Sequence, residues 1–337
     1  MDVLRLHGSS DLRLHTEAAP TPTPGEALVR VTAVGVCGSD LHWFGEAGIG
    51  DARLEGPLVL GHEFAGVVES PASPLHARRV AIDPAIPCQV CVFCLAGEPN
   101  LCSALRFAGH GGQDGALREY VAWPERCLFP LPENLSDADG AMLEPLGVAL
   151  YAADLGQVRP GEAVGVFGCG PIGLLIVQLA RLAGATTILA TDRLAHRLEA
   201  ARACGATETV LVADNLPTGT FWQASGGRGV SVAFEAAGEN QAVEAAVEAA
   251  RPGGRVVLVG IPYPDQTSFT ASTARRKGLS LVFSRRMKFT YPRAIQLVEL
   301  GLVDVRSLVT HTFPLAQAGQ AFDTAQKREG IKIIIQM

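Results

Sequence analysis

Residues 162–173 read EAVGVFGCGPIG, and a helix-like stretch, LLIVQLARLAGA, follows directly. The first part has the apolar run of a buried strand, and the second has apolar residues at helical spacing. Gly168, Gly170 and Gly173 form the pattern G-x-G-x-x-G at the junction. A glycine-rich turn alone is a weak signal. Between a strand and a helix, however, it predicts a turn that holds a dinucleotide pyrophosphate at the helix N-terminus.

The next apolar run, TTILATD, ends at Asp192, about 20 residues after the glycines. A carboxylate at this place accepts hydrogen bonds from both ribose hydroxyls of a dinucleotide and repels a 2′-phosphate. Arg193 follows directly and could attract that phosphate, so NADP stays open as the alternative. Because the acid lies at the strand end, we expect NAD.

Strand-like and helix-like stretches alternate from residue 146 to residue 283. This alternation predicts an α/β domain with a doubly wound parallel sheet. Residues 1–145 contain short Val-rich runs between Gly and Pro, which is typical of a β-rich domain. The tail of about 50 residues after residue 283 is small for a domain of its own. We therefore expect residues 284–337 to pack back onto the first segment.

Length and charge limit the classes of function. The chain has 337 residues, which is about two domains, and its net charge is −6, with no block of like charge. A nucleic-acid partner is therefore not expected. No apolar run approaches the ~18 residues of a membrane span, and the N-terminus, MDVLRLHGSS, lacks the features of a signal peptide. We expect a cytoplasmic protein without a membrane partner.

Four of the eight cysteines lie close together: Cys88, Cys91, Cys94 and Cys102. Thiolates at this spacing can close a tetrahedron around zinc, and the same four could hold an iron–sulfur cluster. Reduced, buried cysteines without a metal are the remaining alternative. A metal bound by four thiolates has no open position, so this site is predicted to be structural.

A second set of possible metal ligands consists of Cys37 and the pair His62-Glu63. Cysteine, histidine and glutamate all bind zinc, and a catalytic zinc keeps one position open for water or substrate. Residue types alone make this set only suggestive. Glu144, in the apolar stretch MLEPLG, is a further acid that could instead be a surface carboxylate at a helix start.

Together these segments resemble the zinc-dependent medium-chain dehydrogenase/reductase superfamily over essentially the whole chain. The matching motifs are VCGSDLH, GHEFAGVV, PCQVCVFC with NLC, GCGPIG and IKIII, in that order. EPLGVALYA and LVTHTFPLAQAGQAF resemble its polyol branch, that is, the sorbitol (L-iditol), xylitol and L-idonate dehydrogenases. The resemblance implies a GroES-like catalytic domain at 1–145 with a structural zinc lobe at 86–103. It also implies a Rossmann NAD-binding domain at 146–283 and a return to the catalytic domain at 284–337.

The resemblance implies two zinc ions per chain, the second of them catalytic and bound in the cleft between the domains. Its ligands would be Cys37, His62 and a glutamate, which is Glu63 or Glu144; the choice between them stays open. Zinc would polarise the substrate hydroxyl, so that the alcohol can lose its proton before the hydride leaves.

Further roles follow from the same resemblance. Ser39 and His42 match the positions of the family's proton relay, and Asp40 would orient the site, with Lys332 near it. A hydroxyl can pass a proton outward, and a histidine can take it near neutral pH. Ile172 would pack on the nicotinamide ring. The expected cofactor-binding residues are Gly168, Gly170, Pro171, Ile172, Gly173, Asp192, Arg193 and Val259.

The substrate side departs from the family pattern. Many polyol dehydrogenases carry Phe-Arg-Tyr before the late helix, whereas this chain has Arg286 followed by Met287. Trp43 stands where a tyrosine often follows the relay histidine. We expect Trp43, Glu144, Arg286 and Met287 to contact the substrate. Pro87 stands near the place where threonine dehydrogenases tend to carry a histidine, which makes threonine a weaker candidate.

We therefore expect an NAD-dependent zinc polyol dehydrogenase that converts a sorbitol-, iditol- or xylitol-like substrate to a ketose. The alternatives are L-idonate 5-dehydrogenase and a dehydrogenase for another secondary alcohol, a diol or threonine. A non-catalytic relative with the same fold would be expected to lose Ser39, His42 or a zinc ligand, and all are present. The family also suggests a homotetramer or a homodimer.

Overall fold

The computed structural model describes residues 1–213 and 218–337. The strands, in chain order, are β1 (Asp2–Gly8), β2 (Asp11–Thr16), β3 (Glu26–Gly35), β4 (Gly48–Ile49), β5 (Ala52–Arg53), β6 (Leu58–Val59), β7 (Glu63–Val68), β8 (Arg79–Ile82), β9 (Ala85–Ile86), β10 (Arg106–Phe107), β11 (Tyr120–Pro124), β12 (Leu128–Pro130), β13 (Ala163–Phe167), β14 (Thr187–Asp192), β15 (Glu208–Leu211), β16 (Val230–Glu235), β17 (Ala250–Leu258), β18 (Ser280–Phe283), β19 (Val309–Pro314) and β20 (Lys332–Gln336).

The helices, in the same order, are α1 (Gly38–Glu46), α2 (Val92–Leu95), α3 (Asp137–Ala141), α4 (Leu143–Gly156), α5 (Pro171–Leu182), α6 (Ala195–Cys204), α7 (Thr218–Ala224), α8 (Asn240–Ala249), α9 (Ala271–Lys277), α10 (Tyr291–Glu299) and α11 (Ala318–Gln326). Short 3₁₀ helices cover Pro99–Leu101, Glu125–Cys127, Arg306–Leu308 and Leu315–Gln317. Among the described residues, no helix is long and apolar enough to span a membrane.

The chain forms two compact units. The first contains residues 1–145, 291–301 and 305–337, and the second contains residues 146–290 and 302–304. The segment 284–290, which we expected in the return to the first domain, lies in the second unit. Residues 302–304 also belong there, because the Gln178 side chain on α5 donates to the Asp304 carbonyl (2.9 Å) and accepts from the Asp304 amide (2.7 Å).

A mainly antiparallel sheet forms the core of the first unit. Within the described residues its strands pair in the order β12-β8-β7-β3-β20-β19, and β11 also pairs with β3. The last strand, β20, is therefore joined to an early one, with Ile335 opposite Val34. Alternate residues of β3 are buried, which is the pattern of a strand with one face on a core.

A parallel sheet forms the second unit, with the described strands in the order β15-β14-β13-β16-β17-β18. Residues 164–167 of β13 are buried, as expected for a strand with helices over both faces. The ring of Phe167 stacks on that of Phe221, with centroids 4.8 Å apart. The strand order reverses between β13 and β16, and ligands of such sheets bind at the carboxyl ends of the strands at this point. The predicted fold class, a β-rich domain plus a doubly wound α/β domain, is confirmed.

One hydrogen bond links α10 to the sheet of the first unit. The Tyr291 hydroxyl, which is buried, donates to the Ile82 carbonyl at 2.7 Å, and its ring stacks on Phe129 at 4.7 Å. The substitution Tyr291→Phe keeps the stacked ring and removes only the hydroxyl. We predict that it lowers the free energy of unfolding by about 1 kcal/mol, measured by urea denaturation. An unchanged midpoint would show that this bond does not stabilise the unit.

Candidate metal and cofactor sites

The four clustered cysteines meet in a small lobe built from α2 and a 3₁₀ turn. Their sulfur atoms all lie within 4.8 Å of one another, and those of Cys88 and Cys94 are 4.0 Å apart. Backbone N–H groups point at the sulfurs: the amide of Cys88 donates to Cys102 Sγ (3.3 Å), and that of Cys91 donates to Cys88 Sγ (3.4 Å). Such donors favour thiolates, the form that binds metal.

The lobe also lacks an apolar core of its own. Val90, Val92 and Leu95 expose 77%, 71% and 76% of their surface, so they do not hold the lobe together. A segment that buries so few apolar side chains needs another source of order, and a bound metal can supply it. Both the geometry and the donor set therefore fit a four-thiolate metal site, with zinc or an iron–sulfur cluster as its occupant.

The second group of possible ligands lies where the end of β3 is paired with the start of β7. Gly35 at the end of β3 pairs with Glu63 at the start of β7. The chain then continues from β3 to Cys37, the N-cap of α1, while His62 directly precedes β7. The strand pairing thus brings distant residues together, and the ligand atoms of Cys37, His62 and Glu63 all lie within 4.8 Å of one another.

Asp40 fixes the orientation of this group. Its buried carboxylate accepts from the Cys37 amide (3.0 Å) and the Gly61 amide (3.3 Å), and its Oδ1 lies 3.4 Å from His62 Nδ1. Contact at Nδ1 leaves Nε2 of the imidazole for a metal. Burial opposes both charged forms, but their mutual attraction wins, so that the pKa of Asp40 is lowered and that of His62 is raised. This geometry supports the expectation that Asp40 orients the site.

Lys332, on β20, lies beside Glu63. Its ammonium forms a fully buried ion pair with Glu63 Oε2 and donates to the Val36 carbonyl at 3.0 Å. Burial lowers the pKa of this lysine, but the Glu63 carboxylate outweighs it and leaves the pKa raised. A Cβ atom at Gly35 would collide with Glu63 Oε2, so this position has room only for glycine. Sequence position could not show this pair, because the two residues are far apart in the chain.

Glu144 lies in the first turn of α4 and is buried. It is therefore not a carboxylate on the surface at a helix start, which was the alternative. Burial raises the pKa of its side chain to about 7, with His62 lowering it and Glu63 raising it. Glu144 is thus close enough to the metal-ligand residues to interact with their charges. It lies outside the group of three whose ligand atoms meet within 4.8 Å.

The two residues expected to relay protons lie on α1. Ser39 Oγ is 3.5 Å from His62 Nε2, so its hydroxyl reaches the metal-ligand group. His42 is half-buried, and its Nδ1 lies 3.6 Å from Glu46 Oε1, one turn further along the helix. Ser39 thus lies beside the metal-ligand group, and His42 follows it by about one turn of the same helix.

The residues expected to contact the substrate are distributed over both units. Trp43 is only 3% exposed and packs edge-on against the His110 ring at 5.5 Å, so little of its indole faces solvent. Met287 is also buried, and a Cβ at Gly147 would collide with its sulfur. Arg286, directly before it, is half-buried and has a left-handed backbone, with φ of 56°.

The glycine turn has the geometry that a pyrophosphate needs. Gly168 has φ of +100°, a conformation that L side chains rarely adopt. A Cβ at Gly173 would collide with the Gly168 carbonyl, so the helix can approach the strand closely only with glycine there. A Cβ at Gly170 would meet only Arg197 Nη1, at 3.8 Å, which leaves open space in front of α5. Pro171 starts this helix and Ile172 is half-buried beside it.

Asp192 ends β14 beside this turn. Its carboxylate accepts from the Cys169 amide (2.8 Å) and the Leu194 amide (2.9 Å), which fix its orientation. The neighbouring Arg193 is exposed, and its guanidinium donates to Gln241 Oε1 at 2.8 Å. Val259 follows β17 at the same edge of the sheet, and its amide donates to the Glu235 carbonyl at 2.8 Å.

Two residues that lie near the sites were not predicted from the sequence. The ring of Phe107, on β10, lies 5.3 Å from that of His62, and nothing in its sequence context indicates this contact. Glu235 ends β16 and is 1% exposed. A signal for it existed, because an acid that ends an apolar strand, VSVAFE, occupies the same kind of position as Asp192.

Comparisons with known proteins agree with this architecture. The family model "Alcohol dehydrogenase GroES-like domain" matches residues 23–133, and the model "Zinc-binding dehydrogenase" matches residues 171–299. The sorbitol dehydrogenase of Bacillus subtilis is 32% identical over 336 residues, which cover 98% of this chain and 95% of that protein. The human sorbitol dehydrogenase is 35% identical over 338 residues, with coverage of 98% and 94%.

A solved structure of a dehydrogenase also matches this chain over its full length. The structure of L-idonate 5-dehydrogenase from Escherichia coli superposes with a TM-score of 0.92 at 29% identity, and the match covers 100% of this chain and 98% of that one. The matching models, the identity over nearly the full length and the two sets of possible metal ligands lead to one conclusion. The chain belongs to the zinc-dependent medium-chain dehydrogenase/reductase superfamily, in its polyol branch.

Proposed function

We propose that this chain is an NAD-dependent zinc polyol dehydrogenase that oxidises a secondary hydroxyl group to a ketone. The observation that carries the proposal is the meeting of Cys37, His62 and Glu63 within 4.8 Å in a chain that also has the glycine turn of a dinucleotide site. Thiolate, imidazole and carboxylate are the ligand types of catalytic zinc, and three protein ligands leave one position open. Zinc bound there would polarise the hydroxyl oxygen and stabilise the charge that develops on it.

The remaining residues of the site prepare and hold this arrangement. Asp40 fixes the tautomer and the orientation of His62, and Lys332 holds the Glu63 carboxylate. Glu144 is the alternative carboxylate ligand, and its buried position near His62 supports that role. We keep both glutamates in the proposal, with Glu63 as the ligand in the geometry described here.

The proton of the substrate hydroxyl leaves through α1. Ser39 accepts it at Oγ and passes on its own proton, and His42 takes that proton at a ring nitrogen and releases it to solvent. The 3.5 Å separation between Ser39 Oγ and His62 Nε2 supports the first part of this route, because it places the hydroxyl beside a metal ligand. NAD supplies the hydride acceptor when it is bound.

Asp192 selects the cofactor. Its carboxylate lies at the end of β14, where it can accept hydrogen bonds from the adenosine ribose and repel a 2′-phosphate. The Arg193 guanidinium donates to the Gln241 side chain, so it is less available to bind a 2′-phosphate. NADP is therefore the weaker candidate. Gly168, Gly170, Gly173 and the N-terminus of α5 hold the pyrophosphate, and Ile172 and Val259 contact the nicotinamide half.

The substrate is a polyol with two adjacent hydroxyl groups. Arg286 binds the more distant hydroxyls, since a guanidinium presents a fork of donors. The apolar side chains of Met287 and Trp43 offer no hydroxyl group to a polyol, so short or deoxygenated polyols should compete well with six-carbon ones. L-idonate is the second candidate, because Arg285 and Arg286 are adjacent and suit a terminal carboxylate. The family resemblance further supports a homotetramer or a homodimer.

The test is a panel of polyols, diols and sugar acids, each assayed with NAD and with NADP by the absorbance of the reduced cofactor. We expect the highest kcat/KM for a polyol with NAD. Preference for a sugar acid would favour the second candidate, and no turnover on any alcohol would contradict the proposal.

The two metal sites should differ in lability. The four thiolates of the lobe enclose their metal, whereas the group at Cys37 has an open position, so mild chelation should remove one zinc together with activity. We expect two zinc ions per chain before treatment and one after it, measured by mass spectrometry of the metal. A single zinc in freshly purified protein, with all four lobe cysteines alkylated rapidly, would contradict this.

The substitution Asp192→Ser should raise the KM for NAD and reduce the discrimination against NADP. Loss of the ribose hydrogen bonds is expected to weaken NAD binding by about 10- to 100-fold. Asp192→Asn is the matched variant, because it keeps the size of the side chain and one acceptor oxygen, and replaces the other oxygen with an uncharged NH2 group. If both variants keep the wild-type preference between the cofactors, Asp192 does not read the ribose.

Replacement of a metal ligand should separate turnover from cofactor binding. His62→Ala and Cys37→Ala should abolish turnover and leave NADH affinity nearly unchanged, because the ligands and the glycine turn belong to different units. Cys204→Ser, outside both cysteine groups, serves as the control and should remain active. Full activity of His62→Ala would remove this group from the reaction.

A further inference from the structure

Glu235 lies at the carboxyl edge of the parallel sheet, at the point where the strand order reverses. It ends β16, which lies between β13 and β17. Its side chain is 1% exposed, so a carboxylate has been buried at the edge where a dinucleotide binds. A buried charge is costly unless hydrogen bonds compensate it, so the donors around Glu235 require an explanation.

The compensation comes from backbone N–H groups of the following turn. Glu235 Oε1 accepts from the amides of Ala237 (2.8 Å) and Gly238 (2.7 Å). Burial raises the pKa of this carboxyl group, and the backbone amides oppose that effect. The carboxylate therefore fixes the path of the chain immediately after β16.

The same residue also holds the chain after β17. The backbone carbonyl of Glu235 accepts from the amides of Val259 (2.8 Å) and Gly260 (3.1 Å). Glu235 Oε2 lies 2.7 Å from the position that a Cβ at Gly260 would take, so the carboxylate and this second turn are in direct contact. One residue thus connects the turns after two neighbouring strands.

Both turns also pack against the glycine turn after β13. A Cβ at Gly168 would lie 2.7 Å from the Ala237 amide nitrogen and 2.8 Å from Ala237 Cβ. A Cβ at Gly238 would lie 3.0 Å from the Ile261 carbonyl carbon. The turn after β16 is therefore held between the turns after β13 and β17, and Glu235 is the buried charge at the centre of these contacts.

The strand order indicates which half of the cofactor these turns face. Asp192 on β14 reads the adenosine ribose, and the pyrophosphate lies over the turn after β13. The other half of the dinucleotide then extends in the opposite direction along the sheet edge, over β16 and β17. The turns held by Glu235 are those beneath the nicotinamide half.

We propose that Glu235 is a positioning residue for the nicotinamide half of the cofactor. It acts by holding the turns at residues 236–238 and 259–261 against the glycine turn. This inference rests on the proposed NAD-dependent function. A glutamine would not replace the carboxylate fully: its carbonyl oxygen could still accept from the Ala237 and Gly238 amides, but its NH2 group would take the place of Oε2, beside the backbone amide of Gly260.

The test compares binding of NADH with binding of AMP, which occupies only the adenosine half. In the full-length Glu235→Gln variant, the Kd for NADH should rise about tenfold or more, and the Kd for AMP should stay near the wild-type value. Glu199→Gln on the exposed face of α6 makes the same change of charge away from these turns and should bind both ligands normally. Glu235→Asp keeps the charge and should show a smaller loss, also confined to NADH.

The possible outcomes separate the two claims. Weakening of NADH alone, with partial recovery in the aspartate variant, supports the positioning role. Equal loss of NADH and AMP in both Glu235 variants, or unchanged binding of both ligands, overturns it. If the wild-type chain binds neither NADH nor AMP, the proposed function itself fails, and the inference fails with it.

Discussion

The buried ion pair between Lys332 and Glu63 is the interaction on which the metal-ligand group depends. Removing two charges from water is costly, and here the cost is offset by their mutual attraction and by the bond from Lys332 to the Val36 carbonyl. The pair also joins β20, near the end of the chain, to β7, near its beginning. The position of the Glu63 carboxylate is thus tied to the pairing of β20 with β3, so the site forms only when the tail has joined the sheet of the first unit.

In both units a carboxylate accepts backbone N–H groups close to the end of a strand. In the first unit, Asp40 accepts backbone N–H groups and turns His62 toward the site. In the second, Asp192 and Glu235 accept backbone N–H groups and fix the turns that follow β14 and β16. A carboxylate that bonds to the backbone holds a turn more firmly than neutral side chains can, because charge-assisted hydrogen bonds are the stronger ones. Such turns can bind ligands without large rearrangement.

Much of this architecture could be predicted from local sequence. The doubly wound sheet followed from apolar runs that alternate with helical patterns, and the glycine turn from its place between a strand and a helix. The four-cysteine lobe was visible from spacing alone. What could not be predicted depends on pairings between distant segments: the contact of Lys332 with Glu63, the burial of Glu144, and the assignment of residues 302–304 to the second unit. The sequence does show Glu235 as an acid that ends an apolar strand. Its role could not be predicted from that, because the role depends on contacts between the turns after neighbouring strands.

The central claim is that Cys37, His62 and Glu63 form a zinc site in addition to the four-cysteine site. The most direct measurement is anomalous scattering at the zinc absorption edge, from crystals of protein purified without chelators. The account predicts two peaks per chain. One should lie among the four sulfurs of the lobe, and the other should lie about 2.3 Å from Cys37 Sγ and about 2.1 Å from a nitrogen of His62. A peak at the lobe alone, with none beside His62, would contradict it.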